Sequence, residues 1–281
     1  MEALVKTLTW NCRRATHASQ LWNYFTELSP DVALLQEVGS IPPAIKHEYD
    51  FRFRYAVGKT GRPQRFGTAL LVRGTIDDEI VLSSPYGWAR TELAHFSGNL
   101  LAYQITLASG QTLNAVNIYS PAWPIDRDRL KRFDVSAVKL VFNPNVWLAD
   151  ILFDALKHAD IQPHEPWLVA GDFNLCETFD LWKGGPRGNR EYLDRMQSIG
   201  LTECLRYTSG KLTPTFKKVG GERLTNQIDY IWVTQTLADA LQSCVVGDSD
   251  RVFSCRLSDH LPIVADFAPE LSAKAALKIQ T

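Results

Sequence analysis

Between Pro166 and Asn174 an apolar run of strand length, Trp167-Leu168-Val169-Ala170, stops abruptly on Gly171. Two polar side chains one residue apart follow it, Asp172 and Asn174. Unbroken apolar runs of this length are typical of buried strands in α/β sheets, and in an open sheet of that class ligands bind beyond the strand ends. A strand that finishes in Gly and Asp therefore carries a carboxylate to the ligand-binding edge. If the chain stays extended, Asn174 points the same way as Asp172. A βα turn, with Asp as helix cap and Gly for chain geometry, produces the same local pattern, so the rest of the chain has to decide.

The pattern recurs from the N-terminus onward. Val5 to Trp10 reads as a strand ending on Asn11, and Leu21, Trp22, Phe25 and Leu28 form the apolar stripe of a helix. Pro30-Asp31 breaks that helix, and Val32-Ala33-Leu34-Leu35 is a second buried strand, ending on Gln36 and Glu37. This β-α-β order places Asn11 and Glu37 at the same edge of one sheet. From Phe51 to Asn117 the segments 67–72, 76–82, 100–107 and 113–118 read as consecutive strands of an antiparallel meander. Asn143-Pro144 has the chemistry of a helix start, and Trp147, Leu148, Ile151, Leu152, Ala155 and Leu156 supply that helix with a buried face. A further amphipathic helix spans 189–199 and stops at Gly200, and segments 228–233 and 261–267 complete the strands. One domain, residues 1–270, with a peripheral tail at 271–281, is expected.

Composition narrows the class. With 281 residues, 45% of them hydrophobic and 11% aromatic, the chain buries a substantial core and is not disordered. A formal net charge of −1 excludes a global basic field, so any polyanion has to be held by a local patch or by metal ions. Five scattered cysteines without a CxxC pair point to a reduced, intracellular protein rather than to zinc or disulfide chemistry. The N-terminal segment lacks the parts of a secretory signal, and no apolar run approaches the roughly 20 residues that span a bilayer. A cytoplasmic protein is expected.

Reading only the strand ends collects Asn11, Glu37, Tyr119, Asp172, Asn174, Asp229 and Ser258-Asp259-His260. Four carboxylates converging without a cation would repel one another and be driven to protonate. A divalent ion removes the conflict, and oxygen ligands suit Mg²⁺ or Mn²⁺ better than zinc. Such an ion, held by one or two carboxylates and the substrate, is well matched to phosphate ester cleavage. Ser258-Asp259-His260 is no hydrolase triad, because adjacent residues on a strand face opposite ways.

Thr9-Trp10-Asn11, Leu35-Gln36-Glu37, Gly171-Asp172-Phe173-Asn174, Gln227-Ile228-Asp229-Tyr230-Ile231 and Ser258-Asp259-His260-Leu261-Pro262 together resemble the ordered signature of the endonuclease/exonuclease/phosphatase superfamily. The resemblance covers nearly the whole chain. It implies a four-layered α/β sandwich, two mixed β-sheets packed face to face and flanked by helices, with the active site at one edge between the sheets. By position it makes Glu37 the principal metal ligand, completed or supported by Asn11 and Asp259. His260 is then the phosphate contact or base, oriented by Asp229. Asp172 positions or deprotonates the attacking water, and Asn174 holds that water or a phosphate oxygen.

Within the superfamily, Tyr119 in Tyr119-Ser120-Pro121 is similar to the Tyr-x-Pro of abasic-site and retrotransposon-type endonucleases, where the phenol contacts the phosphate. Arg13 instead resembles the Asn-x-Arg of pancreatic-type deoxyribonucleases, and Asn226-Gln227 replace an aromatic that lines the abasic-sugar pocket. Three basic loops are candidates for gripping phosphates: Lys59, Arg62 and Arg65; Lys183, Arg187 and Arg190; and Lys217, Lys218 and Arg223. Trp123, Trp182 and Phe216 are candidates for stacking on unpaired bases. The expectation is a Mg²⁺- or Mn²⁺-dependent phosphodiesterase acting on nucleic acid, DNA ahead of RNA, as an endonuclease, with Arg13, Arg65, Trp123, Arg187 and Lys218 binding substrate. No membrane and no obligate protein partner is expected. The alternatives are a phosphatase or phosphodiesterase for a small metabolite or lipid headgroup, and a catalytically silent nucleic-acid-binding module.

Overall fold

The computed structural model describes residues 5–218 and 224–269, so the tail expected at 271–281 lies outside the described residues. Among the described residues, twelve strands make two six-stranded mixed sheets. In chain order they are β1 (Val5–Ala15), β2 (Val32–Val38), β3 (Asp50–Val57), β4 (Pro63–Val72), β5 (Gly74–Glu79), β6 (Leu100–Leu107), β7 (Thr112–Tyr119), β8 (Trp167–Asp172), β9 (Thr202–Glu203), β10 (Asp229–Val233), β11 (Leu241–Val246) and β12 (Ile263–Phe267). The first sheet runs β11-β12-β1-β2-β4-β3 and the second β5-β6-β7-β8-β10-β9.

The unbroken apolar runs are explained by burial on both faces. In β2, Val32 and Leu34 enter the cluster between the sheets, whereas Ala33 and Leu35 enter the one beneath helix Leu21–Leu28. In β8, Leu168 and Ala170 face the inter-sheet core, and Trp167 and Val169 pack toward helices Gly87–His95 and Leu148–His158. Period-2 alternation thus sends every residue of such a strand into one apolar layer or another. Three apolar clusters separate four layers, and the α/β sandwich is as expected.

Three local expectations are corrected. The segment 67–118 is not one meander: β4 pairs with β2 and β3 in the first sheet, and the chain crosses at Gly74 to begin the second sheet with β5-β6-β7. Gly74 has φ +155°, and a Cβ there would sit 2.1 Å from the Thr106 carbonyl oxygen, so only glycine fits the crossing. Strand β3 and helix Gly87–His95 were not anticipated. The helix expected from Asn143 begins at Leu148, because the Asn143 side chain accepts from the Asn145 N–H and closes a turn. Asp150 then supplies the helix entry by accepting from the Trp147 N–H at 2.8 Å.

Gly171, the residue that ends the opening apolar run, is fixed by its neighbour strand. It lies beside Ile118 of β7, has φ +148°, and would place a Cβ 2.0 Å from the Ile118 carbonyl oxygen. Gly171→Ala is expected to cost about 3 kcal/mol through overpacking and backbone strain, lowering the melting temperature by roughly 5–10 °C. A melt within 2 °C of the parent protein would contradict this account.

Candidate active site

Strand register brings the second sheet's polar ends to one level. Tyr119 of β7 is opposite Asp172 of β8, which is opposite Asp229 at the start of β10. Residues directly opposite on neighbouring strands project to the same face, here toward the ends of β1 and β2. Two polar links then cross between the sheets. The Asn11 Nδ2 of β1 donates to Asp172 Oδ2 at 2.9 Å, and His260, just before β12, sets its Nδ1 against the Asp229 carboxylate at 2.9 and 3.1 Å.

Asp172 is the centre of this arrangement. It is 1% exposed, its Oδ1 accepts from the Asn174 backbone N–H at 2.9 Å, and its Oδ2 also accepts from Asn174 Nδ2 at 3.0 Å. Asn174 adopts φ +52°, a left-handed conformation that Asn tolerates better than most residues. Its Nδ2 also donates to the Ser120 carbonyl at 2.8 Å, so both amide hydrogens are engaged and Oδ1 remains as the acceptor. Burial pushes the Asp172 carboxyl up to about 8; Asp229 and Glu37 add to the rise, and His260 and the Asn11 amide oppose it.

Asp229 is fully buried and is held from behind by the Thr215 hydroxyl, which donates to Oδ2 at 2.7 Å. Burial of His260 works against its charged form, but Asp229 above all, with Asp172 and Asp259, raises it to about 10. With Nδ1 on Asp229, the Nε2 position has no hydrogen-bond partner among the described residues. The His260 carbonyl accepts from Trp10 Nε1 at 2.8 Å, and Ser258 Oγ donates to the Asn11 carbonyl at 2.7 Å, fastening this segment to β1. Tyr119 is raised well above its ordinary range by burial and by the charges of Glu37 and Asp172, so its phenol keeps its proton.

Glu37 reaches the site through a backbone irregularity. Pairing of β2 with both neighbours shifts register around it, and Glu37 has φ +48°, as Arg13 and Arg14 across the bulge have φ +46° and +61°. Bulges re-aim side chains and recur beside functional sites. The Glu37 carboxylate has a long 3.4 Å contact from Asn11 Nδ2, Arg14 at 3.7 Å and a hydrogen bond from the Tyr119 phenol, and Asp259 has Arg13 at 3.8 Å. These oxygens therefore retain lone pairs for a hard cation. Asp172, Asp229 and His260 also have ligand atoms within 4.8 Å of one another, but these are already engaged in the internal ion pair and amide bonds described above. Glu37 and Asp259, each with a single arginine at 3.7–3.8 Å, are carboxylates at the site that could hold an ion.

The candidate substrate contacts are spread more widely. Arg13 lies at the site through Asp259. Arg65 is exposed at the start of β4, next to Phe66, whose ring packs edge-on against Tyr119. Arg187 and Lys218 line a cavity that shares Asn174 with the site. Trp123 is not part of that cavity; it packs on the helix-side core against Phe96. Arg190 is paired with Glu177 and Asp194, and Arg223 lies outside the described residues. Sequence reasoning missed Thr215, for which the segment carries no distinctive signal. It also passed over Gln36 and Asn117. Asn117 donates across the sheets to the Leu35 and Ala69 carbonyls and accepts from Gln36, pinning the floor of the site. A polar residue within the apolar alternation of β7 was the available signal.

The sequence profile of the Endonuclease/Exonuclease/phosphatase family matches residues 8–260. The chain belongs to this family. Membership supports a metal-dependent hydrolase of phosphate esters. Among solved structures, an AP endonuclease from Archaeoglobus fulgidus superposes with a TM-score of 0.66 at 19% identity, covering 94% of this chain and 99% of that one. A 3'-5' exonuclease from Neisseria meningitidis gives 0.66 at 20% identity with the same coverages. A 3' phosphatase from Neisseria bound to a product DNA hairpin gives 0.63 at 19% identity, again covering 94% and 99%. At these identities the likeness is one of fold, shared by this family member over nearly its whole length. No curated protein sequence matches the chain. Among the described residues, no helix is long and apolar enough to cross a membrane.

Proposed function

We propose that this protein is a Mg²⁺- or Mn²⁺-dependent phosphodiesterase that hydrolyses nucleic acid, DNA ahead of RNA, as an endonuclease. The observation that carries the reading is the meeting of Asp172, Asn174, Tyr119 and the Asp229–His260 pair with Glu37 at one end of both sheets. Glu37, Asn11 and Asp259 are the residues assigned to the ion, which as a Lewis acid offsets negative charge on the phosphate.

The remaining chemistry belongs to the chain. Water attacks phosphorus in line with the leaving oxygen; the new P–O bond forms as the old one breaks. The water proton passes to an Asp172 carboxylate oxygen, while Asn174 Oδ1 orients the water by accepting its second hydrogen. The His260 Nε2–H and the neutral Tyr119 phenol donate to the non-bridging oxygens as their charge grows. Asp229 fixes the imidazole through Nδ1. The leaving oxygen takes a proton from solvent. Exposed Arg65, Arg187 and Lys218 supply charge for neighbouring phosphates. An endonuclease and an exonuclease among the similar folds, together with a 3' phosphatase bound to a product DNA hairpin, support a nucleic-acid substrate, and five free cysteines fit a reducing, cytoplasmic location.

The test is a panel of plasmid, single-stranded DNA, RNA, an abasic duplex and small phosphoesters, each with Mg²⁺, Mn²⁺ or EDTA. Plasmid nicking that EDTA abolishes and either ion restores is expected. Turnover of small phosphoesters alone would overturn the nuclease reading. Glu37→Gln is expected to raise the ion concentration for half-maximal rate by more than the roughly 10–100-fold typical of residues one shell further out. An unchanged ion requirement would remove Glu37 from the ligand set.

A further inference from the structure

Beside the hydrolytic residues lies a cavity of about 450 Å³ walled in part by aromatic rings, among them Trp147, Phe179, Trp182 and Phe216. It adjoins the reacting centre at two points. Asn174, which holds Asp172, is part of its wall, and the Phe216 ring lies 4.9 Å from the His260 ring. The volume falls within the range of sites that enclose a small molecule.

The walls are held in place before any ligand arrives. Thr178 Oγ1 donates to Asn226 Oδ1 at 2.9 Å, tying the 3₁₀ turn that carries Phe179 to the segment bridged with Phe216. Asp180 accepts from the backbone N–H groups of Arg187, Asn189 and Arg190 at 2.7, 3.1 and 2.8 Å, fastening the glycine-rich loop. Phe179 and Trp182 pack 4.4 Å apart, and the Arg187 guanidinium lies over the Trp182 indole at 5.6 Å.

The polar groups in the wall indicate the occupant. The Trp147 indole N–H is buried without a partner among the described residues, and the buried Asp150 carboxylate also lines the cavity. An alkyl chain would leave the indole N–H unanswered; a planar heteroaromatic ring offers it an acceptor while its faces meet the aromatic walls. Arg187 and Lys218 also line the cavity and offer cationic groups to phosphates of the same strand. We propose that this cavity receives an intact nucleobase, turned out of the strand beside the scissile phosphate, so that the preferred substrate is single-stranded or locally unpaired nucleic acid. This rests on the phosphodiesterase reading for its purpose, and base extrusion into an aromatic pocket is an established way to present a nucleotide for chemistry.

A binding measurement in EDTA separates the two. A pentanucleotide with a central 2-aminopurine is titrated with the full chain, against the same strand carrying a tetrahydrofuran abasic analogue at that position. The base-containing strand is expected to bind about tenfold or more tightly, with quenched fluorescence, within the range for one stacked base. Trp182 is about half exposed, so Trp182→Ala is expected to fold, and it should remove most of the difference. Phe179→Leu serves as a second variant with the same expected direction. Equal binding of the two strands, or undiminished discrimination in both variants, would overturn the proposal. If base discrimination stands while no oligonucleotide is hydrolysed with either ion, the assigned activity fails and the base cavity is retained.

Discussion

Asp172→Asn is expected to lower kcat/KM for nucleic acid hydrolysis by about 10³–10⁴-fold while leaving the protein folded. The carboxylate receives two amide side chains and one backbone N–H, and burial raises its pKa. An asparagine can keep its oxygen toward the two side-chain amides, with its NH2 facing the Asn174 N–H, but it cannot accept the proton of attacking water. Because it also removes a buried carboxyl group disfavoured in its charged form, thermal stability is expected to be unchanged or higher. Steady-state hydrolysis beside a thermal melt reads both quantities. Activity within tenfold of the parent protein would take the base role away from Asp172. A lost activity accompanied by a collapsed melt would show a structural role instead.

The second large effect concerns Asp229 and His260 as one unit. His260 Nδ1 meets Asp229 at 2.9 and 3.1 Å, and Thr215 braces the same carboxylate at 2.7 Å. Removing the carboxylate charge leaves the imidazole without the partner that sets its orientation and charge. Removing the imidazole leaves Asp229 with nothing to orient. Asp229→Asn and His260→Asn are each expected to reduce kcat by about 10²–10³-fold, the range for losing one preorganised donor to developing charge. The double variant should fall within about fivefold of the weaker single variant, because the two groups act through one contact. Multiplied losses of about 10⁴–10⁶-fold in the double variant would show two independent contributions. The His260 carbonyl still accepts from Trp10 in either variant, so the approach to β12 keeps its anchor.

Much of this site was legible because strand chemistry is local. An apolar run ending on Asp172 or Glu37 marks the place where a buried strand meets solvent, whatever it packs against. The family signature placed Asn11, Asp229 and His260 in the same group, and the structure brings all three to Asp172 or to one another. What escaped the sequence was second-tier support. Thr215 looks like an ordinary loop threonine until its hydroxyl is found on Asp229. Gln36 and Asn117 are polar residues whose partners lie across the gap between sheets, 81 positions apart in the chain. The strands 67–118 were misassigned to one sheet because pairing partners are not encoded in alternation: β4 and β5 are separated by Arg73 alone, yet belong to different sheets.

The sequence by itself determined the α/β class, the ends of the principal strands and the chemical types gathered there, because burial periodicity and strand termination depend on a few adjacent residues; the layered sandwich followed from the family resemblance. The Asp172 stretch was in that sense readable from the start. Only the tertiary structure decided that Asp229 is held in a pair with His260, and that Gly171 is required by the Ile118 carbonyl. It also decided that Trp182 and Phe216 border one cavity beside the site, whereas Trp123 packs on the core. These are outcomes of register, bulge and loop placement, set by contacts between residues far apart in the chain, and no local pattern carries them.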